Sequence, residues 1–494
     1  MAQGTMREDV QFDAPRAVCW NLNLYIDGRF VEGRGPGLEV ENPATEMPLA
    51  TVAQASVEQV NDAVDAAARA FASGVWRDPA FRRTVLDRMA DLLVERGEEF
   101  RQALIAECGT PVAISKFLQF DGPVDMLRFF ASRTDAAHMR SLGVDERAPR
   151  SESVIHYEPA GVAAGIGAYN NPLLYIVSKA CAAMAVGCTA VFVPSSLTPL
   201  TALLFSEVAR AAGVPAGVFN MLVGGPEVAR ALTLHPKVAK ISMTGSVEVG
   251  RKVMEQAAMG IKDVILELGG KSAGIILPGA DLSTVSMPLH GRYLRNAGQG
   301  CMSPTRLLVP QNMYDDFVDH AREAFKQIIV GDPLDPATTS GPLIRERHRA
   351  RVEGFVDRAL ADGGHLLAGG GRPDIERGWF MNGALIGGLN NHAELSCSEL
   401  FGPVAMAMPY RSIQQAIEIA NDSAFGLAAS VFGPLDLAKD VALRLEAGTV
   451  SINGGGNFRV DSIVAGWKQS GTGAEWGEDG LKEYLQPKHI QWTY

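Results

Sequence analysis

Residues 161–194 read GVAAGIGAYNNPLLYIVSKACAAMAVGCTAVFVP, the most apolar stretch of the chain. A membrane span needs about 20 uninterrupted apolar residues. Asn170, Asn171, Pro172 and Lys179 break the run before that length is reached. The stretch reads instead as two buried strands, Val162–Ile166 and Thr189–Val193, joined by a helix over 173–185. The alternation continues downstream, with strands over 218–222 and 240–243 and helices over 200–212 and Pro226–Leu234. A second series follows, with strands over 264–268, 273–277 and 306–309 and helices over 314–329 and Glu346–Ala361. Short apolar runs alternating with helical ones mark strand–helix–strand units around a parallel sheet. The expected fold is α/β, with two Rossmann-like parallel-sheet lobes and a small β element. Upstream, Val60, Val64, Ala67, Ala68 and Phe71, then Leu86, Met89, Leu92, Leu93 and Phe100, recur at three- and four-residue steps, which predicts two amphipathic helices over 57–107. In the tail, Tyr484, Lys488, Ile490 and Trp492 alternate loosely, as in an exposed strand whose free edge finds a partner in another subunit.

A chain of 494 residues exceeds what one hydrophobic core holds. With 47% hydrophobic and 20% charged residues it can bury that core and is not a disordered chain. Acidic residues (56) outnumber basic ones (45) to give a net charge of −11, and no basic patch offsets that field, so nucleic acid is not an expected partner. The cysteines, at 19, 108, 181, 188, 301 and 397, are too scattered for a disulfide framework and include no Cys-x-x-Cys pair, which points to a reducing compartment. The polar start, with Glu8, Asp9 and Asp13, is unlike a secretory leader. Cytoplasmic residence without membrane contact is the expectation, and no metal site is expected.

Three segments can carry chemistry. Cys301 follows Asn296-Ala297-Gly298-Gln299-Gly300, where two glycines let backbone N–H groups turn toward a reacting thiol; a buried structural cysteine is the competing reading. Glu267 ends an apolar strand just before Gly269-Gly270, where open α/β sheets present their chemistry. A buried carboxylate there can act as general base, or it can face solvent. Thr244-Gly245-Ser246 turns from a strand into a helix and offers unpaired N–H groups to a phosphate, or merely reverses the chain.

Thr244-Gly245-Ser246, Glu267-Leu268-Gly269-Gly270-Lys271-Ser272, Gly298-Gln299-Gly300-Cys301 and Glu399-Leu400-Phe401-Gly402-Pro403-Val404 occur together and in this order. By these four motifs the chain resembles the aldehyde dehydrogenase superfamily, from about Leu24 through Asn42-Pro43-Ala44-Thr45 and Phe425-Gly426-Leu427 to Ser470-Gly471 and the tail. The resemblance implies oxidation of an aldehyde to an acid with NAD, or NADP, through a cysteine thiohemiacetal and thioester. Cys301 matches the nucleophile, Glu267 the base and Asn170 the oxyanion donor. Lys179 and Glu475 match a pair that relays protons, although a helix Lys and a loop Glu also form ordinary solvated ion pairs. Glu399 matches the nicotinamide-ribose ligand and Phe401 the wall beside the ring. Gly245 and Ser246 match the pyrophosphate site, with Gly225, Val193 and Ser196 lining the rest of the dinucleotide cleft. The implied division is 1–134 with 157–266 as the dinucleotide-binding domain, 267–469 as the catalytic domain, and 135–156 with 470–494 as an oligomerisation element pairing across subunits in a homodimer or homotetramer.

The departures are specific. The family's adenosine-ribose Lys and Glu are Val193 and Ser196 here. That removes repulsion against a 2′-phosphate and also the cation that would attract one, which leans toward NAD with weakened binding. An aromatic of the aldehyde tunnel is Asn171. Arg295 beside the nucleophile, with Phe458 and Arg459 in a later loop, suggests a polar or anionic aldehyde; Arg295 can equally salt-bridge away from the pocket. Two rival functions are acyl transfer to coenzyme A, whose enzymes commonly lack the carboxylate at the Glu267 position, and a non-catalytic binding or scaffold role. Reduced cofactor formed with water, only with coenzyme A, or not at all separates the three.

Overall fold

The computed structural model describes residues 20–135, 139–455 and 459–494; Phe458 and the first 19 residues, including Glu8, Asp9 and Asp13, lie outside them. The first lobe is an eight-stranded sheet whose five central strands run parallel, in the order Phe219–Met221, Thr189–Val193, Val162–Ile166, Val238–Thr244, Asp263–Glu267. Relative to the chain this is the order 3-2-1-4-5. It reverses between Val162–Ile166 and Val238–Thr244, and at such a switch point the loops after the strands diverge and leave a crevice. Ala168-Tyr169-Asn170 and Thr244-Gly245-Ser246 leave the sheet on either side of that reversal. Both Val162–Ile166 and Thr189–Val193 are buried along their whole length, as strands covered by helices on both faces must be.

The second lobe is a seven-stranded sheet. Ala384–Gly387, Val404–Tyr410, Pro304–Pro310, Ser272–Ile276, Ala428–Phe432 and Thr449–Ile452 run parallel, with His365–Gly369 antiparallel at the edge. The last parallel strand of the first lobe ends at Glu267, and five residues later Ser272 opens a strand of the second. Cys301 precedes the start of Pro304–Pro310, and Glu399 to Phe401 precede the start of Val404–Tyr410. The end of one sheet and the beginnings of the other thus meet across the Glu267–Ser272 connection.

The α/β expectation holds, with four local corrections. Residues 57–107 form three helices, Val57–Ser73, Pro79–Glu95 and Gly97–Cys108. Ser56 and Gln59 make a reciprocal capping box at the first, and Gly74 ends it at φ 75°. The expected helix over 173–185 is interrupted: Pro172–Tyr175 and Ala182–Ala185 flank a π-helical turn, Ile176–Cys181. Such a turn leaves the apolar pattern intact, so periodicity does not report it. The tail strand, Leu485–Thr493, is paired within its own chain, antiparallel to Ser151–Pro159 over nine residues, and Met139–Asp145 completes a three-stranded sheet. Residues 470–494 are not one element either, because Gly471–Thr472 joins the first sheet beside Asp263–Glu267 and a short helix, Gly477–Lys482, follows. Among the described residues no helix is long and apolar enough to cross a membrane.

Candidate active site

The segment before Cys301 holds three consecutive residues in the left-handed region: Asn296 at φ 54°, Ala297 at φ 52° and Gly298 at φ 66°. Each non-glycine in that region costs of order 1–3 kcal/mol, so the turn persists only because its surroundings hold it. Ala297 N–H donates to Ser340 Oγ at 3.2 Å, and Ser340 Oγ–H donates to the Leu294 carbonyl at 2.9 Å. At 298 a side chain is excluded: a Cβ would lie 2.4 Å from the Gly402 carbonyl. The Cys301 residue is partly exposed and Cys397 exposed, whereas Cys108, Cys181 and Cys188 are buried. Burial, with the Glu399 and Glu267 carboxylates nearby, pushes the Cys301 thiol up to about 12. At neutral pH it needs a base to become a nucleophile.

Glu267 is buried, and its Oε1 has no hydrogen-bond partner among the described residues. Burial, reinforced by the Glu475 carboxylate and opposed by Lys179, raises the Glu267 carboxyl to about 8. The main chain is fixed on both sides: Gly245 N–H donates to the Glu267 carbonyl at 3.1 Å, and Leu268 N–H to the Ser470 carbonyl at 2.8 Å. Lys179 and Glu475 form no solvated surface pair. Both are buried, 2.5 Å apart, and Glu475 also accepts from Ser242 Oγ at 2.7 Å and Ser178 Oγ at 3.2 Å. The π-helical turn carries both Ser178 and Lys179.

Asn170 is oriented from both ends of its amide. Tyr175 O–H donates to Oδ1 at 2.8 Å, so Nδ2 points the other way and donates to the Gln299 carbonyl at 3.0 Å, two residues before Cys301. Gln299 is itself pinned through Oε1, which accepts from Tyr169 O–H at 3.1 Å and Ile344 N–H at 3.0 Å. Motif reading missed Tyr175 and Gln299 as positioning residues; the one signal for Tyr175 is a lone hydroxyl in an otherwise apolar turn. Removing that hydroxyl frees the amide to flip. Tyr175→Phe is expected to lower kcat/KM about tenfold, the worth of one hydrogen bond in the transition state, with an unchanged circular-dichroism spectrum; steady-state kinetics measure it.

On the other side of Cys301, Glu399 Oε1 accepts from Gly270 N–H at 3.0 Å, and a Cβ on Gly269 would meet Glu399 Oε2 at 2.2 Å. The main chain here is anchored from the helix Glu346–Ala361. Arg351 donates to the Glu399 and Leu400 carbonyls, each at 2.8 Å, and His348 Nε2–H to the Phe401 carbonyl at 2.7 Å. Phe401 sits at φ 59° with its ring edge-on to Tyr169, centroids 5.7 Å apart. His348 and Arg351 carry no sequence signal of this role.

Ser246 caps Val247–Ala258, its Oγ accepting from Val249 N–H, and Gly225 caps Pro226–Leu234 with its N–H on Gln54 Oε1 at 2.9 Å. Thr244 Oγ1 is buried without a partner among the described residues. Helix N-termini, an orphaned hydroxyl and aromatic walls fit a dinucleotide. The Val193 side chain belongs to the apolar core and offers no polar atom; Ser196 is half-buried. Among the described residues no cluster of His, Cys, Asp and Glu could hold a metal.

Beside the Gln299-Gly300 approach to Cys301 lies a cavity of about 370 Å³, with Ile114, Phe117, Asn171, Arg292 and Arg295 among its walls. Arg459 does not read this space as a free cation, since it is bound through Nε and Nη2 to Asp461 at 2.9 and 2.5 Å.

The model of the aldehyde dehydrogenase family matches residues 30–490. A 3-succinoylsemialdehyde-pyridine dehydrogenase of a Pseudomonas species is 38% identical over 473 residues, covering 94% of this chain and 98% of that protein. Among solved structures, a mutant of aldehyde dehydrogenase C from Pseudomonas syringae, in complex with NAD+ and octanal, superposes with TM-score 0.90 at 36% identity over 95% of this chain and 96% of that one. An NADP-dependent enzyme of E. coli superposes with TM-score 0.92 at 34% identity over 96% and 98%. The chain belongs to the aldehyde dehydrogenase family. It is an NAD(P)-dependent oxidoreductase that oxidises an aldehyde to a carboxylic acid through a cysteine thiohemiacetal and thioester.

Proposed function

We propose that Cys301 is the nucleophile, Glu267 the general base and Asn170 the side-chain oxyanion donor of a hydrolytic aldehyde dehydrogenase. The observation that carries the hydrolytic reading is the buried Glu267 Oε1, which has no hydrogen-bond partner among the described residues. A carboxylate left free in that way can take the Cys301 proton and later draw a proton from water, so no coenzyme A is needed to release the acid. As the Cys301 sulfur bonds to the aldehyde carbon, the carbonyl oxygen becomes an alkoxide, and Asn170 Nδ2–H donates to it. Hydride acceptance is the chemistry NAD(P) supplies when bound. Glu399, Phe401, Gly245, Ser246 and Gly225 would hold the cofactor, with Val193 and Ser196 along the same cleft. Water then attacks the thioester, and Glu267 accepts its proton. Lys179 and Glu475 carry that proton away through the Ser178 and Ser242 hydroxyls. NAD is the preferred cofactor and NADP is admitted, because neither Val193 nor Ser196 bears a charge.

Asn170→Ala is expected to lower kcat by about 10²–10³ with little change in KM, the usual loss for one oxyanion donor; following reduced cofactor at 340 nm with water alone tests both this and the hydrolytic reading. Oxidation that requires coenzyme A would overturn the latter.

The lobe of 1–134 and 157–266 is assigned to the dinucleotide and that of 267–469 to catalysis. The three-stranded sheet is assigned to subunit contact in a homodimer or homotetramer; it leaves Met139, Leu142, Val144, Ile490 and Trp492 exposed, and apolar surface of this kind supports an interface. The five described cysteines are all free, which supports a cytoplasmic setting.

A further inference from the structure

The cavity beside Cys301 is amphipathic, and its cationic wall meets no carboxylate among the described residues. Arg292 stands in the last turn of the helix Leu282–Leu294 and Arg295 just past its end, and both line the cavity. Neither forms an ion pair with a carboxylate among the described residues, although many other arginines there do. Arg292 is held by three hydrogen bonds to neutral acceptors: Nη1 donates to Ser430 Oγ at 3.2 Å and Ser451 Oγ at 2.9 Å, and Nη2 to the Gly454 carbonyl at 3.0 Å. Of its five N–H donors, Nε–H and one on Nη2 have no acceptor among the described residues. Arg295 folds back over Gly291, where a Cβ would stand 3.5 Å from its Nε. Asn171 adds an amide to the same cavity, where Ile114 and the exposed Phe117 form an apolar wall.

We propose that Arg292 and Arg295 bind a carboxylate on the substrate, so that the preferred aldehydes carry an anionic group separated from the carbonyl by an apolar skeleton lying along Ile114 and Phe117. An anion in this cavity meets two guanidiniums that have no described carboxylate partner and completes the open donors of Arg292, and paired Arg–carboxylate bonds are the strong ones. The apolar wall requires that the anion be joined to the aldehyde by carbon rather than by a polar chain. This assignment rests on the aldehyde oxidation proposed above.

The test compares 4-carboxybenzaldehyde with 4-methylbenzaldehyde, which differ at the distal group only. The expected ratio of kcat/KM, acid over neutral, is about ten or more, and in Arg295→Gln it falls about tenfold, through KM of the acid. Arg292→Gln lowers it further in the double variant. A wild-type ratio near or below 1, or a ratio unchanged in Arg295→Gln, would overturn the proposal. Terephthalate binding, measured by calorimetry, needs no turnover. Binding that weakens about tenfold in Arg295→Gln supports the proposal even if neither aldehyde is oxidised, the outcome that sinks the oxidation reading; no binding, or equal binding, overturns it.

Discussion

Replacing Cys301 by alanine is expected to lower aldehyde oxidation by about 10⁴-fold or more, the loss typical when the nucleophile of a covalent mechanism is removed. The fold should survive. The strained turn Asn296-Ala297-Gly298 is held by Ser340 and by the packing of Gly298 on Gly402, neither of which involves the sulfur, and alanine is smaller than cysteine. A melting temperature within a few degrees of the parent, together with loss of cofactor reduction, is therefore the expected pair of results. Cys108, Cys181 and Cys188, replaced singly, should show the reverse pattern, because they are core side chains whose loss leaves space and does not touch the reaction.

Glu267→Gln is expected to slow turnover by about 10²–10⁴, the range for a positioned base. It should also remove the rising limb of the pH profile. Burial raises the Glu267 carboxyl to about 8; below that pH the group is protonated and cannot accept a proton, and above it the carboxylate is available. In the parent enzyme kcat/KM should climb with a midpoint near 8 and then level off, while the amide variant shows no such limb. The two proton transfers are not equally affected. The thiol, at about 12, is a stronger acid than water at about 15.7, so losing the base hinders hydrolysis of the thioester more than its formation. The acylated enzyme should accumulate.

The first-lobe sheet was legible because strands buried on both faces write continuous apolar runs, and Val162–Ile166 and Thr189–Val193 came out with their observed limits. The π-helical turn at Ile176–Cys181 was not, since an extra residue per turn leaves no mark on composition. The tail was readable as a strand by its alternation, yet its partner Ser151–Pro159 lies more than 300 residues away, and alternation says nothing about register over that distance. At the site, Cys301 and Glu267 stood in glycine-bearing motifs, because backbone closeness demands glycine and glycine is visible. Gln299, His348 and Arg351 act through hydrogen bonds to groups tens of residues or more away, and Tyr175 through one bond to Asn170, five residues back across an irregular turn, so no regular spacing announces these contacts. Arg295 and Arg459 looked alike in sequence; what separates them is the presence of Asp461 beside one and of no described carboxylate beside the other.

The account turns on a covalent bond between substrate carbon and one sulfur. The direct measurement is a peptide mass map of Glu267→Gln quenched shortly after mixing with benzaldehyde and NAD+. A benzoyl group on the peptide containing Cys301, absent when either reactant is omitted, is the predicted result. Reduced cofactor formed with no acyl group on that peptide, or with the group on Cys397 instead, would contradict it.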